Sequence, residues 1–298
     1  MYSGMTPKAL EWQKKVRKFV NDELIPWEVH AEMNNGELPE DIEQKHREIA
    51  LSMGLAGMGI SKESGGLGLN FFEQMIVWEQ LGRVTNALCW CFPEVQDWMI
   101  KNFSEYQKEN YLKPLLNGKK RECYAITEKG AGSDVDGSIE STAEKKDDKY
   151  LINGEKWYVT SANKADFFIL QAKIKSGSNK NKHSLFIVDK NLEGIEHVDT
   201  PLFSHTYAHH HSIYRFKDVS ISEKNIIGEE GIGMDYTHSW FRHERLGIAA
   251  RCCGAAERLI DEATSFAKDR EAFGDKIANY QAIQFMLADC VNELASTR

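Results

Sequence analysis

Cys123-Tyr124-Ala125-Ile126-Thr127-Glu128-Lys129-Gly130-Ala131-Gly132-Ser133-Asp134 decides how the rest of the chain is read. A short apolar stretch, read as a strand over residues 123–127, runs straight into a loop punctuated by two glycines and closed by Ser-Asp. Lacking Cβ atoms at two positions, the loop backbone can take φ > 0 and approach a planar or phosphorylated ligand. Past Asp134 the sequence shows alternation (Ile139, Thr142) and no 3.6-residue apolar period. The loop therefore feeds a strand. A dinucleotide-binding βαβ unit would place a helix there, so that reading fails.

On the C-terminal side of this loop the chain reads as β structure. Residues 149–153, 156–160, 166–173, 184–188 and 212–216 are short, β-branched or aromatic-rich runs bounded by turn residues. Asn153-Gly154 between two of them predicts a type I′ hairpin. Residues 176–182 read as a polar loop tip joining two more strands. Such a run of strands predicts one small β-domain, a barrel or sandwich, over 121–232.

Either side of it the chain reads helical. Thr6-Pro7 is an N-cap followed by proline at the first helical position. Trp12, Val16, Phe19, Val20 and Leu24 recur at helical spacing, and Pro26 is expected to close the segment. Residues 39–53, 71–82 and 104–117 repeat the pattern, with the glycine-rich loop Gly65-Gly66-Leu67-Gly68 between. From Gly233 one long helix is expected, carrying Leu246, Cys253, Leu259 and Phe266. A second, from near Asn279, carries Ile283, Leu287, Val291 and Leu294 and reaches Arg298 without a stop signal. The fold class is α+β multidomain: a helical domain (1–120), the β-domain, and a helical bundle (233–298) that reads as interrupted.

Composition excludes several functions. The 298 residues carry a net charge of −8, with Lys and Arg spread along the chain, which argues against nucleic-acid binding. No apolar run approaches the roughly 18–20 residues that span a bilayer. The first residues lack the apolar core of a secretory signal, and no transit peptide is evident, so a cytoplasmic protein (or a matrix one in a eukaryote) is expected. The six cysteines lack zinc-site spacing and are read as buried free thiols. His205, His209, His210 and His211 lack the helical i, i+4 spacing or flanking carboxylates of a metal site, so no metal is expected and they read as exposed.

Four motifs in order carry a family resemblance. They are residues 60–68 (Ile-Ser-Lys-Glu-Ser-Gly-Gly-Leu-Gly), residues 124–134, residues 154–160 (Gly-Glu-Lys-Trp-Tyr-Val-Thr), and Asp269-Arg270-Glu271-Ala272-Phe273-Gly274 with Gln281 downstream. Together they resemble the acyl-CoA dehydrogenase family over nearly the whole chain, apparently without its C-terminal part. The resemblance implies FAD as cofactor, an acyl-CoA thioester as substrate, α,β-desaturation as reaction, an electron-transfer flavoprotein as partner, and a homodimer or homotetramer. It implies that Tyr124, Ile126 and Thr127 line the isoalloxazine and that Gly132 and Ser133 lie at the pyrophosphate and acyl-CoA. Tyr158 and Thr160 would face the flavin's other side, with the Thr160 hydroxyl near N5. Many relatives carry Trp at the position of Tyr158. Arg270, Phe273 and Gln281 would reach the FAD of a neighbouring subunit, and Phe241 and Arg245 the substrate. Glu244 matches the catalytic base of a minority of relatives; in most, the base lies beyond the equivalent of Arg298. Taken alone, Arg270-x-x-Phe273-Gly274 also reads as a helix end capped by glycine. A flavin oxidase or monooxygenase of the same fold, and an acyl-CoA-binding scaffold without catalysis, are the competing functions.

Overall fold

The computed structural model describes residues 5–205 and 209–298. Two compact units divide it, and neither follows the chain continuously. One comprises residues 30–68 and 90–242; the other comprises the first 29 residues, 69–89 and 243–298.

The first unit is built on one curled sheet. Its strands are β1 Glu122–Ala125, β2 Thr142–Lys146, β3 Lys149–Thr160, β4 Phe167–Ile174, β5 His183–Asp189, β6 Ile195–Asp199 and β7 His211–Ser222. β1 and β4 pair parallel, β5 joins β4 antiparallel across the polar 176–182 tip, and β2–β3–β7–β6 continue antiparallel. Strand alternation explains the curl. Cys123, Ala125, Ile152, Val159, Phe168, Leu170, Phe186, Phe216 and Val219, drawn from most of the strands, all point into one shared core. The opposite face of β4 and β5 (Phe167, Ile169, Leu185, Ile187) packs on Trp98, Met99, Tyr111, Leu112 and Leu115.

Two expectations are corrected here. Asn153-Gly154 makes no hairpin: β3 is a single 12-residue strand, and both of its halves pair with β7. Gly154 instead sits at a break in register with φ 150°, and a Cβ there would lie 2.1 Å from Ser141 Oγ. The glycine serves a close approach between neighbouring strands. β6, which is mostly exposed, was not anticipated, because its Ile195-Glu196-His197-Val198-Asp199 lacks a buried face to impose alternation.

The second unit is helical. Pro7–Phe19 starts as expected, with Thr6 Oγ1 accepting from Ala9 N at 3.1 Å. Pro26 does not close the segment. A π turn (Val20–Leu24) and a 3₁₀ turn (Ile25–Trp27) carry the chain through it, because Pro26 takes an early position of the 3₁₀ turn, where its missing N–H costs little. Phe71–Leu81 has a full capping box between Asn70 and Glu73. It touches the long helix Gly233–Asp269 at backbone distance: a Cβ on Gly82 would lie 2.2 Å from the Arg251 carbonyl, and one on Gly254 1.8 Å from the Glu79 carbonyl. Arg17, Arg83 and Arg298 converge on the Glu257 carboxylate at 2.6, 2.8 and 3.4 Å. The helix Gln281–Thr297 buries none of its residues; Phe285 and Met286 stand exposed, as do Leu259 and Phe266 on the long helix.

All six cysteines are free, but only four are buried. Cys252 and Cys290 lie on exposed helix faces, contrary to the uniform burial expected of them. Among the described residues no helix is long and apolar enough to cross a membrane.

Candidate functional site

Two strand ends meet beside the glycine loop. β1 runs out into Ile126-Thr127-Glu128, and β3 ends in Trp157-Tyr158-Val159-Thr160. The Trp157 amide donates to the Thr127 carbonyl at 2.8 Å. Beneath that contact lies Lys156, fully buried. Its Nζ donates to the Ile126 carbonyl and to Glu128 Oε1, each at 2.8 Å. Glu128 in turn accepts from the Glu140 and Ser141 amides at 2.6 and 3.0 Å. Burial lowers the Lys156 ammonium by more than Glu128 raises it, leaving it at about 8. Burial pushes the Glu128 carboxyl up; Lys156 and the backbone donors outweigh it and hold it below its usual range. One buried ion pair thus pins the exit of β1, the end of β3 and the start of β2 to each other. Composition offers no signal for it, since Lys and Glu are ordinarily surface residues.

The loop differs from expectation in its backbone. Neither Gly130 nor Gly132 adopts positive φ, and a Cβ at either would meet nothing within 4 Å. What they leave is open space over the loop. Ser133 is exposed beside it, and Asp134 caps a single helical turn, Val135–Ser138, accepting from Gly137 N at 2.9 Å and from Ser138 Oγ at 2.8 Å. The Glu128–Gly130 side borders a polar cleft of about 620 Å³, shared with Ser138, Asn153 and Trp157.

Tyr124 and Ile126 serve the interior with their side chains. Ile126 packs with Ala131, Val135 and Ile139, against Phe241 and Trp240. The Tyr124 ring stacks on Trp240, centroids 4.4 Å apart and planes within 1°. Its hydroxyl opens a buried relay whose direction is fixed by donor counting. Thr237 Oγ1 donates to Gln171 Oε1 (2.7 Å), so the Tyr124 hydroxyl donates to Thr237 (3.2 Å). Gln171 Nε2 donates to His183 Nδ1 (2.8 Å), so His183 Nε2 carries the proton and donates to the Asp136 carbonyl (2.9 Å). Burial lowers the His183 pKa, consistent with this neutral tautomer. Thr127 stays half exposed.

The end of β3 is bulged. Tyr158 has φ 57° and Ser161 φ 63°, with a register shift between Lys156 and Val159. An aromatic residue in the left-handed region is strained by about 1–2 kcal/mol, and bulges commonly re-aim side chains at functional sites. Here the bulge turns the Tyr158 ring outward, 44% exposed, edge-on to Phe203 at 5.6 Å. Thr160 is exposed too, its Oγ1 3.0 Å from His211 Nδ1. His210 and His211 are therefore not free surface histidines: both are partly buried, and His210 Nε2 lies 2.9 Å from Ser161 Oγ. His205 and His209 are exposed.

In the helical unit, Glu244 is largely buried and 3.6 Å from Arg251 Nη2, whose guanidinium lies 5.1 Å above the Trp78 ring. Arg245 is exposed. The long helix ends at Asp269, and no glycine cap closes it. A two-stranded ribbon follows, β8 Glu271–Ala272 and β9 Asp275–Lys276, turning through Phe273 (φ 54°) and Gly274 (φ 86°). Phe273 is wholly exposed in a backbone conformation that costs an L-residue energy. Arg270 and Gln281 flank the ribbon, both exposed.

Family models for the acyl-CoA dehydrogenase N-terminal, middle and C-terminal domains match residues 6–119, 123–219 and 231–298. A subunit of a caffeyl-CoA reductase–Etf complex from Acetobacterium woodii is 32% identical over 295 residues, 96% of this chain and 75% of that protein. The solved glutaryl-coenzyme A dehydrogenase in complex with glutaryl-CoA superposes with a TM-score of 0.87 at 28% identity, covering 99% of this chain and 75% of that one. An acyl-CoA dehydrogenase from Bacillus anthracis, solved with FAD, gives 0.86 at 25% identity over 99% and 51%. With all three family domains matched in order and the curled sheet between its helices, the chain belongs to the acyl-CoA dehydrogenase family.

Proposed function

We propose that the chain binds FAD at the joined ends of β1 and β3 and α,β-desaturates an acyl-CoA thioester, handing the electrons to an electron-transfer flavoprotein. The observation that carries this reading is the pairing of Thr127 with Trp157 over the buried Lys156–Glu128 link. It sets a half-buried hydroxyl, Thr127, an exposed one, Thr160, and an outward aromatic ring beside an open glycine loop. The fit to FAD is good. The empty space over Gly130 and Gly132 is where a side chain would block a pyrophosphate, and Ser133 stands ready to donate to it. FAD, when bound, supplies the hydride acceptor.

The chain's own residues do the rest. The backbone and hydroxyl of Thr127 hold the polar edge of the ring system, Tyr124 and Ile126 brace that segment from behind, and Tyr158 and Thr160 cover the other side. Phe241 and Arg245 contact the substrate. Removal of the α-proton needs a carboxylate, supplied by Glu244 or by a residue beyond Arg298. Arg270, Phe273 and Gln281 reach a second copy's cofactor in a homodimer or homotetramer. The wholly exposed ring of Phe273, held out at the corner of a two-residue turn with positive φ at both positions, supports that role. The working units of this cytoplasmic (or matrix) enzyme are the segments 1–120, 121–232 and 233–298.

The test is anaerobic addition of acyl-CoA to the FAD-loaded protein. Loss of flavin absorbance supports desaturation. Retained absorbance despite acyl-CoA binding supports a binding scaffold, and rapid reoxidation of the reduced protein by air supports an oxidase.

A further inference from the structure

Thr160 and His211 face each other in register where β3 ends and β7 begins. The hydroxyl's polar neighbours are His211 Nδ1 at 3.0 Å and the Tyr158 carbonyl at 3.5 Å, the latter at the limit of a useful bond. The imidazole is held in place by Phe203 edge-on at 5.2 Å and by the His205 and His210 rings at 5.0 and 4.9 Å. Burial and His205 keep its pKa below the ordinary value, so the ring is neutral at pH 7. A neutral imidazole has one N–H, and a threonine hydroxyl has one hydrogen to give. If Nδ1 carries the proton, it donates to Thr160 and the hydroxyl hydrogen is free to point outward. If Nδ1 is bare, it takes that hydrogen and leaves the oxygen lone pairs facing outward.

We propose that His211 is a positioning residue whose tautomer sets whether Thr160 presents a donor or an acceptor to the flavin. The inference rests on the reading of the β3 end as the flavin site. Oxidised flavin carries a lone pair at N5 and needs a donor; reduced flavin carries N5–H and needs an acceptor. His211 serves both by giving up its Nδ1 proton while Nε2 takes one from solvent, with no net change of charge.

The experiment uses the full chain loaded with FAD. Reduction should move the imidazole proton from Nδ1 to Nε2, read directly in the 15N shifts of the wild-type His211 ring. His211→Phe should bind reduced flavin about tenfold less tightly relative to oxidised flavin, a fall of about 30 mV in the two-electron potential. His211→Asn, whose amide can turn either its oxygen or its NH2 toward Thr160, should stay near wild type. Thr160→Val should lower the potential at least as far, and adding His211→Phe to it should change nothing more. An unchanged tautomer on reduction overturns the inference, as does a wild-type potential in His211→Phe while Thr160→Val is shifted. If Thr160→Val itself leaves the potential alone, or the wild-type chain takes up no FAD, it is the assignment of the flavin site that fails.

Discussion

Lys156→Met removes an ammonium that is fully buried and leaves a side chain of similar length. Two contacts at 2.8 Å disappear, to Glu128 Oε1 and to the Ile126 carbonyl. Breaking one side of a buried ion pair costs about 3–5 kcal/mol, chiefly because the remaining charge is stranded. Glu128 keeps the Glu140 and Ser141 amides as donors, so the low end applies. About 3 kcal/mol corresponds to a fall in Tm of roughly 6–12 °C for a chain of this size. The double variant Glu128→Gln/Lys156→Met strands no charge and should recover more than half of the lost stability. It does not restore the donor to the Ile126 carbonyl, so FAD affinity should stay at least tenfold below wild type. Calorimetric melting of the apo-protein and fluorescence titration with FAD give the two readouts. A single variant melting within 1 °C of wild type would refute the energetic argument. A double variant that regains both stability and FAD affinity would refute the positional one.

Four other outcomes are expected. Gly132→Val should weaken FAD binding without lowering Tm, because the new side chain enters open space in the apo-protein; full FAD occupancy would show the loop to be only a turn. Glu122 presents a buried Oε2 without a partner, and burial pushes its carboxyl up to about 7 from 4.5. The folded state thus binds the proton more tightly than the unfolded state between those values, and stability falls as pH rises through the window. Glu122→Gln should therefore stabilise by about 3 kcal/mol at pH 8 and by little at pH 4.5, read from urea midpoints at both pH values. Phe273→Asn should relieve strain and raise apo stability by about 0.5–1 kcal/mol while lowering FAD affinity and self-association, a combination that sedimentation and melting together would detect. Glu244→Gln in an active protein should abolish α-proton exchange into deuterated water while acyl-CoA still binds; surviving exchange would place the base elsewhere.

Local rules in the sequence determined much of this protein: the Thr6-Pro7 helix start, the strand runs after residue 121, the long helix from Gly233, and the glycine loop with its flanking hydroxyls. Each of these depends on neighbours within a few residues, where periodicity, capping and turn chemistry act. Tertiary structure decided the rest. Asn153-Gly154 satisfies a hairpin rule, but β7 pairs with both flanks and Ser141 crowds the glycine, so the strand runs straight through. Lys156 and Glu128 carry no local mark of burial; the curl of the sheet buries them against each other. His211 reads as one of a run of histidines until register sets it opposite Thr160. Long-range pairing is energetically decisive and leaves no mark in a local window, and so the candidate site's residues were legible while the contacts that aim them were not.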